Sequence, residues 1–167
     1  TVNSIQKTHD RKNQHAPAYI SKSVDVTEPN DLYEPPGILK DIYNYSEEDS
    51  HWNYDLDGSD EIQYGIYSDG GYYDWHVDHE KKTPNIDGKF LVRKLSTTIW
   101  LNDPDEYEGG EFDIEIHPPQ KNPRYDTLKL PKGSIVIFRS DRWHRVRPVT
   151  SGVRKSLVTW FRGPPFR

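Results

Sequence analysis

The sequence contains no cysteine. That excludes disulfides, thiolate metal sites and a cysteine nucleophile. No apolar run approaches the ~18 residues of a membrane span, and the first residues carry no signal-peptide h-region. A cytoplasmic protein without membrane contact is the expectation. There is no excess of basic charge: 22 Lys+Arg stand against 27 Asp+Glu, a formal net charge of −5, which argues against nucleic acid as a partner. Hydrophobic residues are scarce at 32%, but aromatics reach 13%, and Tyr and Trp bury large areas behind a polar tip. A core is therefore still affordable within the single domain that 167 residues suggest. Thirteen prolines and eleven glycines favour short strands and turns over long helices.

No internal repeat or low-complexity tract stands out. Residues 1–60 form one segment of the expected organisation and residues 61–163 the other. The first is polar and interrupted by Pro17, Pro29, Pro35 and Pro36; it is read as irregular, with an edge strand in Ala18–Val26 as one option. Ile38, Leu39, Ile42 and Tyr43 share the spacing of one short amphipathic helix over Gly37–Ser46. His51–Leu56 reads as a first strand, closed by Asp57-Gly58. From Glu61 onward, β-branched and aromatic runs alternate with Gly, Pro, Asn and Asp clusters. The predicted strands are Glu61–Tyr67, Tyr72–Asp78, Arg93–Leu101, Glu111–His117, Thr127–Leu130, Ser134–Phe138, Arg145–Pro148 and Val153–Phe161. This pattern predicts a mainly β sandwich or barrel, with a jelly roll prominent among the options.

Three elements carry chemistry. In His76-Val77-Asp78, strand alternation puts the imidazole and the carboxylate on one face, where they can grip one ion. His-x-Asp alone is common and mostly a surface feature. His144, in Asp141-Arg142-Trp143-His144-Arg145-Val146, supplies a second imidazole. Two imidazoles and a carboxylate make the facial triad of non-haem Fe(II) oxygenases, although Zn, Mn, Co or Ni also suits such donors. Arg154 then lies on a strand face shared with Ser156, Val158 and Trp160. An inward arginine in a β core is costly unless an anion meets it, and a guanidinium fork grips a carboxylate in bidentate fashion. The plain alternative for Arg154 is a solvent-facing or structurally paired side chain.

In this order and spacing, the motifs resemble the Fe(II)- and 2-oxoglutarate-dependent dioxygenases, specifically the prolyl 4-hydroxylase-like branch. The matching stretches are Tyr67 through Asp78, Arg93 through Asn102, Gly109-Gly110-Glu111-Phe112, and Lys132 through His144 to Arg154 and Trp160. The resemblance implies a double-stranded β-helix, the jelly-roll or cupin-like fold. His76, Asp78 and His144 match the iron ligands, and Arg154 matches the residue holding the distal carboxylate of 2-oxoglutarate. Tyr67 and Ser156 are implied as its helpers. Trp100 and Phe112 fall on strands implied to line the cosubstrate pocket. Tyr73, Arg93 and Trp160 are candidates for the rim facing the prime substrate.

The implied activity is hydroxylation of a C–H bond, coupled to decarboxylation of 2-oxoglutarate to succinate. Fe(II), 2-oxoglutarate and dioxygen are the implied reactants, with ascorbate as a family habit. Peptidyl proline leads as substrate; another amino acid or a small metabolite is the alternative. Collagen-type enzymes usually carry lysine at the position of Arg154, which weakens a collagen-like substrate in particular. A noncatalytic jelly-roll binding module and a cupin-like isomerase or hydrolase are the rival classes. His79 points away from Asp78 and is not expected to ligate. Glu80-Lys81-Lys82 reads as a solvated turn, and Asp103–Glu108 as a solvent-exposed hairpin.

Overall fold

The computed structural model describes residues 19–23, 52–80, 82–84, 87–116 and 124–165. Its strands, in chain order, are β1 (Tyr19–Ser23), β2 (Gln63–Tyr67), β3 (Tyr73–His76), β4 (Lys82–Pro84), β5 (Phe90–Trp100), β6 (Tyr107–Gly109), β7 (Phe112–Glu115), β8 (Tyr125–Leu128), β9 (Ser134–Arg139), β10 (His144–Val146), β11 (Val149–Gly152) and β12 (Arg154–Gly163). The larger sheet runs β1-β9-β5-β12-β2, with β4 added along β5. The smaller runs β3-β10-β7-β8, and β6 pairs β11 in a two-stranded ribbon. All pairings are antiparallel. This is the jelly roll the sequence implied.

Alternation along the strands builds two apolar layers. Val136 and Phe138 of β9 join Trp100, Phe112, Ile114, Leu128 and Val146 in a cluster drawn from both sheets. Ile135 and Ile137 point the other way and meet Leu95, Ile99 and Phe161 on the outer face of the large sheet. Each such buried side chain contributes roughly 1.5–3 kcal/mol of transfer free energy. Covered on both faces, β9 reads as a continuous apolar run.

The outer layer has a cover. Trp52, Tyr54 and Leu56 pack against it in alternation. The strand expected at His51–Leu56 is absent from the described part, Trp52–Leu56, which makes no ladder. Asn53 at φ 49° breaks the extended backbone. The segment is pinned instead by Asp57 N–H on the Arg162 carbonyl at 2.6 Å and by a bridge between Ser59 and Phe161. The helix expected over Gly37–Ser46 lies outside the described residues. β1 falls inside Ala18–Val26 and is an edge strand on β9.

Two further expectations need correction. Lys82 does not belong to a turn: it opens β4, which pairs Lys82 with Val92. The acidic run is only partly a solvent-exposed hairpin. Pro104–Glu106 form a 3₁₀ turn, and Tyr107 begins β6 with its side chain buried. Charge set that reading, and the lone tyrosine carried the buried contact. Among the described residues no helix is long and apolar enough to cross a membrane.

Candidate active site

β3 and β10 pair with His76 opposite His144. This register brings two imidazoles, distant in sequence, to a ring separation of 4.1 Å. Strand β3 ends at His76, earlier than predicted, and Asp78 sits in the bend that follows. Its backbone N–H and that of His79 both donate to the Ser140 carbonyl, at 2.9 and 3.1 Å. That anchor turns the carboxylate back toward the histidines. Asp78 Oδ1 lies 3.7 Å from His76 Nε2, and Oδ2 lies 3.3 Å from His144 Nε2. One ligand atom from each of the three residues falls within 4.8 Å of the others.

The remaining polar atoms are occupied in ways that leave the ligating ones available. His76 Nδ1 donates to the Asp74 carbonyl at 2.7 Å, and His144 Nδ1 to the Arg142 carbonyl at 2.9 Å. A carbonyl only accepts, so both rings donate through Nδ1 and turn Nε2 to the centre. Asp78 Oδ2 accepts from Ser96 Oγ at 2.7 Å and from Trp160 Nε1 at 2.8 Å. Oδ1 is thus the oxygen left for an ion, and the carboxylate is held for single-oxygen ligation. Burial would raise the Asp78 pKa; the imidazole of His144 and the donors on Ser96 and Trp160 outweigh it and hold the carboxylate below its ordinary range. Burial, then the neighbouring His144, push the His76 imidazole down, toward the neutral form that ligates. The donor set fits a divalent first-row metal. His79 takes no part in it, as expected.

A cavity of about 340 Å³ runs from the triad to Arg154. Arg154 is 1% exposed and has no acidic partner among the described residues. Its Nη1 donates to Ser156 Oγ at 3.1 Å, and its guanidinium lies 5.4 Å from the rings of both Tyr67 and Trp100. Burial pulls its pKa down, against smaller opposing pulls from Tyr107 and Tyr67. Burial also raises the Tyr67 phenol, with Arg154 pulling it back, so Tyr67 remains a donor. Tyr67 and Ser156 face the cavity beside Arg154, as the pairing of β2 with β12 requires.

The other expected residues divide. Phe112 lines the cavity, but Trp100 does not. It is fully buried behind Arg154, edge-on to Phe112 at 6.0 Å. Tyr73 stands at the mouth, 52% exposed, its ring edge-on to His76 at 3.9 Å. Arg93 and Trp160 also line the cavity but are buried, with polar groups committed elsewhere: Arg93 Nε to Asp60 Oδ2 at 2.8 Å, Trp160 to Asp78.

Sequence reasoning missed Ser96, whose hydroxyl sits between Asp78 and Ser140 Oγ. It also missed Tyr107. The Tyr107 hydroxyl, Trp100 Nε1 and Arg154 Nε are all buried without a hydrogen-bond partner of good geometry. Gly110, at φ 65°, makes room there: a Cβ would come within 3.0 Å of Arg154 Cδ and 2.9 Å of Val149 Cγ2. The Gly109-Gly110 pair was the available signal, since a left-handed pair beside a β strand marks close backbone approach.

The fold and the site together define a jelly roll with a His-Asp-His cluster suited to a metal ion and a buried arginine on the same cavity. The profile of the 2OG-Fe(II) oxygenase superfamily matches residues 62–162, and the chain belongs to that superfamily. Fe(II) and 2-oxoglutarate are the metal and cosubstrate of the family. A PKHD-type hydroxylase of Pseudomonas fluorescens is 34% identical over 94 residues, covering 56% of this chain and 39% of that protein. The chain thus spans about two-fifths of the length of such relatives. A Pseudomonas putida prolyl-4-hydroxylase structure superposes with TM-score 0.61 at 17% identity, over 98% of this chain and 78% of that one. A viral collagen prolyl hydroxylase from Paramecium bursaria Chlorella virus-1 gives 0.58 at 20% identity, over 89% and 81%. At these identities the two structures bear on the fold alone.

Proposed function

We propose that this chain is the catalytic core of an iron- and 2-oxoglutarate-dependent hydroxylase whose substrate is a peptidyl proline. The observation that carries the cosubstrate reading is Arg154: a guanidinium almost wholly removed from water, without a carboxylate among the described residues, on a cavity that leads to the triad. A buried unpaired charge is strongly unfavourable. A dicarboxylate of the right length removes that cost by meeting the guanidinium with one end and the metal with the other. The name of the relatives, PKHD-type hydroxylase, supports the reaction, and the motifs resembling the prolyl 4-hydroxylase-like branch support the substrate class.

The residues divide the work. His76, Asp78 and His144 would hold the iron through Nε2, Oδ1 and Nε2. Bound iron supplies the redox chemistry that couples decarboxylation of 2-oxoglutarate by dioxygen to oxidation of a substrate C–H bond. Arg154, with Ser156 and Tyr67 beside it, would bind the distal carboxylate and select its length. Ser96 and Trp160 hold Asp78 in place, and the backbone carbonyls of Asp74 and Arg142 hold the two rings. Phe112 and Val158 exclude water along the wall. Tyr73, exposed beside His76, would meet the prime substrate.

The test is succinate release with Fe(II), 2-oxoglutarate and dioxygen, screened over proline-containing peptides, free amino acids and small metabolites. Peptide-stimulated release with hydroxyproline in the product is the expected result. Stimulation by free amino acids alone would overturn the peptide assignment.

A further inference from the structure

Asp60 lies outside the triad and outside every motif of the sequence, yet it stands at the start of a continuous chain of contacts that ends on the metal-binding carboxylate. Its side chain is 9% exposed. Both Nε and Nη2 of Arg93 donate to Asp60 Oδ2, at 2.8 and 2.7 Å, and Arg162 Nε approaches Oδ1 at 3.2 Å. The Arg93 guanidinium so fixed lies 3.6 Å from the centroid of the Trp160 ring, a close cation–π contact. Trp160 Nε1 donates to Asp78 Oδ2 at 2.8 Å. The backbone reinforces the same path: Asp60 N–H donates to the Trp160 carbonyl at 2.8 Å, and Thr159 Oγ1 donates to the Asp60 carbonyl at 3.2 Å.

We propose that Asp60 is a positioning residue for the metal centre, acting through Arg93 and Trp160 to fix the carboxylate of Asp78. The inference rests on the reading of His76, Asp78 and His144 as metal ligands. The direction in which the indole N–H points depends on the plane of the ring. Trp160 is buried, yet it forms part of the cavity wall, so contacts to its ring faces help to set that plane. Arg93 covers one face of the ring, and Asp60 sets where Arg93 lies. Replacing Asp60 by a neutral amide removes the charge that holds the guanidinium. The ring is then free to tilt, and Asp78 Oδ2 loses a donor that leaves Oδ1 as the ligating oxygen. Partners that orient a metal ligand typically change metal affinity by about 10–100-fold. A residue two contacts further out belongs at the lower end of that range.

The experiment is Co(II) titration of the metal-free full chain, followed by visible absorption and calorimetry, which needs no turnover. It compares wild type, Asp60→Asn, Trp160→Phe and the double variant, with circular dichroism as a check on folding. The expected result is about tenfold weaker Co(II) binding for each single variant, and a double variant no weaker than Trp160→Phe alone, because both act along one path. Unchanged affinity in Asp60→Asn overturns the inference. Losses that multiply in the double variant overturn the route through Trp160. If Asp60→Asn does not fold, Arg93→Gln takes its place in the same cycle, with the same deciding outcomes. Wild-type protein that takes up no Co(II) would overturn the metal centre itself, a failure distinct from a centre that binds metal equally well in wild type and Asp60→Asn.

Discussion

The two ends of the cavity are built on opposite principles. At the triad, every polar atom not needed for a ligand is already bonded: both Nδ1 atoms to backbone carbonyls, and Asp78 Oδ2 to Ser96 and Trp160. At the other end, Arg154 Nε, Trp100 Nε1 and the Tyr107 hydroxyl are buried without a hydrogen-bond partner of good geometry. The first end is saturated and pre-oriented, which is what a metal with fixed geometry requires. The second leaves donors poorly matched and, among the described residues, a guanidinium without a carboxylate, as the proposed anionic cosubstrate requires. The difference teaches that stability is concentrated at the triad and sacrificed at Arg154.

The most severe way to break this contrast is at the saturated end. Asp78→Ala removes the one anionic ligand and leaves Ser96 Oγ and Trp160 Nε1 without their acceptor. Succinate formation should fall by more than about a hundredfold, checked by a discontinuous succinate assay on protein whose circular dichroism matches wild type. Arg154→Ala attacks the unsaturated end. The apparent constant for 2-oxoglutarate should rise by the equivalent of about 2–5 kcal/mol, while Co(II) affinity in the absence of cosubstrate stays within about twofold. A parallel loss of both would show that the two ends are not separable.

A third cluster sharpens the comparison because it is saturated but has no site. Asp113 is fully buried and accepts from Arg145 Nε at 2.7 Å, Arg147 Nε at 2.9 Å and Thr127 Oγ1 at 2.7 Å. Burial would raise its pKa; the donors on Arg147, Thr127 and Arg145 outweigh it and hold the carboxyl below its usual range. Such a group stabilises the fold fully above the unfolded aspartate pKa of about 4, and the contribution disappears as pH falls through the folded value. Asp113→Asn should therefore cost about 3 kcal/mol at pH 7, the low end for breaking a buried pair because both arginines reach solvent. Chemical denaturation should show that gap narrowing in acid, with 2-oxoglutarate affinity unchanged.

The smallest effect is expected from Tyr107→Phe. It removes a buried hydroxyl that lacks a well-formed partner, so stability should change by less than about 1 kcal/mol. The apparent 2-oxoglutarate constant should rise no more than about fivefold, as measured by initial rates. A large loss of stability would show that the hydroxyl is structurally satisfied, and that the contrast between the two ends is weaker than described.

Much of this was legible in the residues. Period-2 alternation placed most of the strands within a few residues, and the order of His76, Asp78, His144 and Arg154 carried the site. Four parts were not legible, for physical reasons. The Trp52–Leu56 segment alternates like a strand but is pinned at only a few points of the β12 backbone, and alternation reports burial, not hydrogen bonding. Lys82 and the acidic run were judged by charge, which hid the pairing of β4 and the burial of Tyr107. Ser96 and Asp60 act through tertiary contacts with residues 18 positions away in either direction along the chain or further, and neither has a local pattern to mark it. Trp100 was placed on the right strand but one step too far forward, since occupying a wall strand does not make a side chain part of the wall.

The central claim is that one cavity holds a ferrous ion at the triad and a keto diacid that reaches from it to Arg154. Anaerobic titration of the metal-free chain with Fe(II) and 2-oxoglutarate, followed by visible absorption, tests it most directly. The account predicts a weak charge-transfer band that needs both components, saturates at one equivalent of iron, and is lost in Asp78→Ala. No band at saturating Fe(II) and 2-oxoglutarate, or an equal band in Asp78→Ala, would contradict it.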